Sequence, residues 1–216
     1  MNEEPRRVAS RSGGGGAFAA LREEWRTKAL ATAAIASYWL LGYFVLNRVE
    51  VAERWTIPRT VLDDAPLLPW TVVVYHSVFV LSGLGIWLWS DRPSTFFHLR
   101  VVIIAYTINF VFFAALPTRI ERPELVESES MWLWAVRLTW AIDAPHTCFP
   151  SLHITNCVTA ICTHWRTRRG VVFLAWTLPI AASTLTTKQH VFWDVPAGAL
   201  VGIAGFWLAS RLAPRS

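Results

Sequence analysis

Six apolar stretches constrain the fold of this chain more than any other feature. They run over 29–46, 68–89, 99–116, 152–165, 171–186 and 191–212. A bilayer core about 30 Å thick takes roughly 17–25 apolar residues per helix. The fourth and fifth stretches are short by that measure. They reach a spanning length only by taking in Ser151, His153, Ser183 and Thr184 at their ends. Those polar side chains then sit inside the membrane boundary, facing protein or water and not lipid. The expectation is an all-α, polytopic membrane protein: a six-helix bundle over 29–212, preceded by a basic segment at 1–28.

Composition points the same way. Apolar residues make up 54% of the chain and charged residues 16%, against roughly 25% charged in a soluble domain. Thirteen tryptophans are available for interfacial belts. The net charge of +5 comes from basic residues scattered over short loops and both termini. That is the pattern of membrane topology, and it argues against a nucleic-acid partner. Three cysteines, Cys148, Cys157 and Cys162, make no disulfide framework. Cys157 and Cys162 read as small apolar packing residues.

Residues 1–28 carry Arg6, Arg7, Arg11, Arg22, Arg26 and Lys28. The glycine run at 13–16 reads as a flexible joint, and 17–28 as a short interfacial helix. The first long apolar run starts too late for a signal peptide and lacks a clear cleavage site. The N-terminus, the turns at 91–100 and 166–169, and the tail with Arg211 and Arg215 fall on one side and are basic. The opposite loops, 47–67 and 117–150, carry Glu50, Glu53, Asp63, Asp64, Glu121, Glu124, Glu127, Glu129 and Asp143. Lys and Arg favour the cytoplasmic side. Both termini are therefore expected in the cytoplasm, with 121–130 outside; in a bacterial inner membrane that side is the periplasm. Pro117 ends the third helix, since proline supplies no amide donor. Met131–Ile142, with Trp132, Trp134 and Trp140 around Arg137, is too short to span and reads as an interfacial helix.

The chemistry gathers at the ends of the last three apolar stretches. His190 and Asp194, four apart, project from one face of a helix. A carboxylate on one imidazole nitrogen fixes the tautomer and leaves the other nitrogen free to attack. Pro150-Ser151 opens a helix, with Ser151 near its first turn. Free amides there attract anions such as phosphate. His153 stands in that turn, positioned to protonate a leaving oxygen. Together these residues suit phosphoryl transfer.

Pro150-Ser151-Leu152-His153, followed by His190-x-x-x-Asp194, resembles the type 2 phosphatidic acid phosphatase superfamily. The resemblance implies six helices and a metal-independent reaction on a membrane lipid, without a cofactor. Its first motif, a lysine, six residues, then Arg-Pro, aligns with Arg122-Pro123, but Ala115 holds the lysine position and Arg119 is the candidate substitute. In the second motif Leu152 replaces a glycine, and His153 is the implied general acid. The third motif aligns with Ser183, His190 and Asp194, with Thr184 in the arginine position; Lys188 is the candidate replacement cation. His190 is the implied nucleophile, passing through a phosphohistidine. The departures are similar to the inositolphosphotransferase branch, which includes inositol phosphorylceramide synthases. Ser151, Arg119, Arg122 and Lys188 are then the expected phosphate ligands.

Other readings compete with this one. His76, His98, His153, His164 and His190 lie in or near helices, and two facing histidines can ligate haem iron in an electron carrier. His153, His190 and Asp194 with a water would suit zinc. A non-catalytic membrane protein is the third alternative. His76, His98 and His164 read as structural or interfacial, His146 as a solvated loop residue, and Asn109 as a hydrogen-bonding partner for a neighbouring helix. Head group, acceptor and oligomeric state are not specified by the sequence.

Overall fold

The computed structural model describes residues 14–126 and 129–212, with side chains from residue 23 onward. Arg6, Arg7, Arg11, Gly13, Glu127, Ser128 and Arg215 lie outside the described residues, as does the side chain of Arg22. The chain is mostly helical, and each of the six apolar stretches forms helix. The elements in order are α1 (Gly14–Arg48), β1 (Trp55–Thr56), 3-10 turns at Val61–Asp64 and Pro69–Thr71, α2 (Val72–His76), α3 (Val78–Trp87) and α4 (Arg92–Ala115). Then come β2 (Thr118–Arg119), α5 (Met131–Ile142), α6 (Leu152–His164), α7 (Arg168–Thr186) and α8 (Asp194–Arg211).

Four helical stretches are long and apolar enough to cross a membrane: Glu23–Arg48, Pro69–Trp87, Arg92–Ala115 and Arg168–Thr186. The other two differ from the expected spans. α6 has only 13 residues, and α8 has 18 with Asp194 at its head and Arg211 at its end. The reason is position. α6 packs against α8, α7, α4 and α3, and nine of its thirteen residues are buried. A helix enclosed by other helices need not present an apolar surface to lipid. α1 shows the opposite case, with Leu30, Leu41 and Val45 exposed on a helix held mainly by α4.

The N-terminal expectation is corrected. Gly14–Gly16 already belong to α1, which runs unbroken through residue 28. Neither a joint nor a separate interfacial helix forms there. Each helical glycine costs about 1 kcal/mol, but extending an existing helix is far easier than nucleating one. Further along, Lys28 pairs with Glu24 within α1 at 2.6 Å, and the helix is tied to other segments where Lys28 reaches the Trp87 carbonyl and Glu23 pairs with Arg92 at 3.2 Å.

Local chemistry sets the other boundaries. Asp91 caps α4 by accepting the Ser94 amide at 2.8 Å, with Pro93 in the first turn. α4 stops at Ala115, just before Pro117. The chain then turns into β2, which pairs in parallel with β1, Trp55 opposite Thr118 and Thr56 opposite Arg119. Arg119 also bridges to His146 from the antiparallel side. Three loop segments thus form a small roof over one end of the bundle. α5 lies against this roof with Trp132 and Trp134 exposed, consistent with an interfacial helix.

α8 approaches α6 and α4 through glycines. A Cβ on Gly198 would strike the Ser151 carbonyl, and one on Gly205 would stand 2.7 Å from the Ala105 Cβ. Such close approach is what small residues permit between membrane helices. Gly198→Val is expected to push α8 off the head of α6 and to destabilise the protein by about 1–3 kcal/mol, the usual cost of overpacking. A lowered thermal midpoint in detergent would register it; an unchanged midpoint would mean the helices separate without cost.

Candidate active site

The site forms where α6, α7 and α8 meet beneath the roof. α7 ends as the Thr184 carbonyl accepts the amides of Gln189 and His190, at 3.0 and 3.2 Å. Lys188 takes φ 56° in this turn, a left-handed conformation that is uncommon for a residue with a side chain. The turn delivers His190 onto the head of α8. There His190 Nδ1 lies 3.0 Å from Asp194 Oδ2 and 3.1 Å from the Cys148 carbonyl. Both of those atoms are acceptors, so Nδ1 carries the proton. The lone pair is then on Nε2, which faces the Ser151 hydroxyl at 3.2 Å. Asp194 is fully buried and His190 is only 8% exposed. The second Asp194 carboxylate oxygen has no partner, so this buried charge depends on the imidazole and the Val191 amide, 3.1 Å away.

Ser151 ties the two helices together. Its amide donates to the Asp194 carbonyl at 3.0 Å, and its Oγ caps α6 by accepting the Ile154 amide at 3.4 Å. His153 follows in the first turn, with its ring 5.8 Å from that of His190. It stacks on Tyr75 at 4.2 Å, and the Tyr75 hydroxyl lies 3.5 Å from its Nδ1. Two apolar cavities, about 210 and 150 Å³, meet at His153 and share Trp39, Phe79 and Leu152.

The four polar candidates for binding phosphate separate. Ser151 touches His190. Arg119 and Lys188 line a small cavity whose wall includes His190. Arg122 does not line it. Its guanidinium donates to the carbonyls of Asp143 (2.9 Å) and Trp140 (3.3 Å) and to the Gln189 side chain, and stacks on Trp140. Burial pulls the Arg122 guanidinium pKa down, and the Asp143 carboxylate opposes that pull. Burial likewise pushes the Asp143 carboxyl up, against the Tyr43 hydroxyl 2.7 Å away and Arg122. The Lys188 ammonium donates to the carbonyls of Asp63, at 2.9 Å, and Ala65. Thr184, in the motif's arginine position, turns its hydroxyl back to the Ala181 carbonyl.

Residues 51–208 match the family model of the PAP2 superfamily. The chain belongs to the PAP2 superfamily. No curated protein and no solved structure matches it significantly. The PAP2 match takes in β1, the roof and every candidate site residue, and leaves out α1. Membership together with the apolar helices assigns the chain to a superfamily of phosphatase-type enzymes and to a membrane setting.

Several residues that build this PAP2 site were not found from the sequence. Asp63 is buried and accepts the Phe192 amide at 2.7 Å, fixing the turn after His190. It also accepts the Thr60 amide at 2.6 Å. The spacing Thr60-x-x-Asp63 is a capping box and could have located that turn, though not its partner. Thr118 accepts the amides of Cys148 and Phe149 at 3.2 and 3.3 Å. Asn47, fully buried, bonds the Ala144 amide and carbonyl and the His146 carbonyl. No local pattern marks either residue. The histidines considered for haem are held elsewhere: His76 by Thr139, His98 by Thr163, and His164 by the Gly85 carbonyl and the Trp89 ring. Among the described residues no three His, Cys, Asp or Glu side chains converge to hold a metal ion. Asn109 donates to Thr155 of α6 at 3.0 Å, as expected for a link between helices.

Asn47 holds the loop that supplies the Cys148 carbonyl to His190. Asn47→Ala strands the Ala144 amide, while the Ala144 and His146 carbonyls keep the His146 amide and the Thr147 hydroxyl. A loss of about 1–3 kcal/mol is expected for such an unsatisfied buried group. Hydrogen exchange at Ala144 is expected to accelerate; unchanged protection would show that the loop is held by other contacts.

Proposed function

We propose that this chain is a membrane lipid phosphotransferase or phosphatase that works through a phosphohistidine on His190. One observation carries the reading: Asp194 holds Nδ1 of His190, while Nε2 opens toward Ser151 and the neighbouring His153. In the first step the Nε2 lone pair forms a bond to phosphorus as the bond to the leaving oxygen breaks. His153 gives its proton to that oxygen. Asp194 stabilises the cationic imidazole that results. In the second step an alcohol or water gives its proton to His153 and attacks phosphorus. The phosphorus–nitrogen bond breaks, and both histidines return to their starting states. Every role falls to a side chain.

A lipid substrate is supported by the apolar cavities at His153, one among α1, α3, α4 and α6 and the other among α1, α2, α3, α5 and α6. We favour transfer to an alcohol over hydrolysis, on the inositolphosphotransferase-like form of the motifs: Phe149-Pro150-Ser151-Leu152-His153, and Thr187-Lys188-Gln189-His190 without the usual arginine. We place α6 in the membrane as the inner helix of a six-crossing bundle and α8 as a crossing with Leu200, Ile203 and Trp207 on its outer face, with both termini cytoplasmic and His190 at the opposite face.

Two measurements test this. Incubation with a phosphate-labelled phospholipid, followed by quenching, is expected to leave an acid-labile, base-stable label on His190. His190→Ala loses label and turnover together, and Asp194→Asn lowers turnover by about 10⁴. If no variant ever carries label, direct displacement replaces the covalent scheme. For topology, Glu124→Cys lies on the exposed roof, while the native Cys148 and Cys157 are buried and Cys162 is half-buried. An impermeant thiol reagent is expected to modify the engineered cysteine in intact cells. Modification only after permeabilisation reverses the orientation.

A further inference from the structure

A phosphoryl group arriving at His190 brings negative charge that needs preorganised donors. Of the two motif positions that ordinarily carry further cations, one here is Ala115 and the other is Thr184, whose hydroxyl is turned into its own helix. Arg122 spends its fork on Asp143, Trp140 and Gln189, away from the cavity beside His190. Lys188 lines that cavity, but its ammonium is directed to the carbonyls of Asp63 and Ala65. Two arginines also line it, Arg119 and, from the loop between α1 and α2, Arg59, alongside the acidic residues Asp63 and Glu121.

Resting on the reading of His190 as the phosphoryl acceptor, we propose that Arg59, paired with Arg119, is the anion clamp of this site. Two features support it. The β1–β2 pairing sets Thr56 opposite Arg119 and so fixes where both loops enter the cavity. Arg59 donates only through Nη2, to the Asp63 carbonyl and Asp64 Oδ1, both at 3.1 Å. Its remaining N–H groups are uncommitted among the described residues, as is the whole Arg119 guanidinium. A guanidinium offers phosphate two parallel donors in a fixed fork, which an ammonium does not. Asp64 is an exposed partner for Arg59; surface pairs of this kind contribute little, so an incoming phosphate displaces it easily. In this arrangement the loop 47–67 supplies the positive charge that the motif positions lack, and Arg122 and Lys188 hold the roof and the His190 turn in place.

Inorganic phosphate is the probe. It stabilises a folded protein that binds it, with a concentration dependence set by affinity. The full-length chain in detergent is expected to gain thermal midpoint with added phosphate. In Arg59→Gln and in Arg119→Gln the half-effective concentration rises at least tenfold, and Arg59→Lys recovers only part of it. Asp64→Asn lowers that concentration. A wild-type midpoint indifferent to phosphate, or an Arg59→Gln response equal to wild type, overturns the clamp. Phosphate labelling of His190 separates the two failures. Label present with an unaltered Arg59→Gln response removes Arg59 alone, whereas absence of label in the wild type removes the reading of the site and the clamp with it.

Discussion

The structure depends on a buried carboxylate. Asp194 stands at the head of α8 with no solvent exposure, and an isolated charge there would cost several kcal/mol. Three partners offset that cost: the His190 imidazole, the Val191 amide and the position of the carboxylate at a helix N-terminus. The backbone of the same residue accepts the Ser151 amide. One residue therefore joins the start of α6, the end of the α7–α8 turn and the start of α8. Moving any of these elements would leave the carboxylate or the imidazole without its partner.

The roof answers a second constraint. Backbone outside helices at the edge of a membrane must find hydrogen bonds within the protein or in water. Here side chains from distant segments supply them. Asn47 satisfies the loop after α5, Thr118 the amides before Pro150, Asp63 the turn after His190, and Lys188 the carbonyls of residues 63 and 65. These residues reach across the chain and tie the loops that flank His190 to distant segments. In the proposed mechanism that tethering matters, because small displacements of an attacking group are costly in rate.

PAP2 membership and the departures from its motifs fit one physical account. In the proposed mechanism the histidines and the aspartate need a fixed tautomer and a short proton path. Positive charge around a phosphate is less exacting, since a cation can enter from any loop that reaches the pocket. Ala115 and Thr184 mark where cations are missing from the helix ends, and the roof brings Arg59 and Arg119 to the same cavity.

Much of this protein is determined by its sequence alone. The apolar stretches mark where helix forms, because length and hydropathy are local properties, although the second is divided into a 3-10 turn, α2 and α3. Pro117 marks an end through its backbone and Ser151 through its capping hydroxyl. His153 follows from its place in the first turn of α6. His190 and Asp194 do meet, but not as neighbours on one helix face: α8 begins at Asp194, and the turn over 187–193 carries His190 back onto its head. The sequence misjudged residues 14–16, where attachment to a long helix outweighed the preference of glycine for coil. Tertiary structure alone decided the rest. It made α6 short and central, turned Arg122 toward Asp143 and Gln189, and brought Asn47, Asp63 and Arg59 to a site whose other residues lie as far away as the 129 positions between Asp63 and Phe192. Such contacts arise from packing between segments, and no local pattern encodes which carbonyl a buried arginine or asparagine will meet.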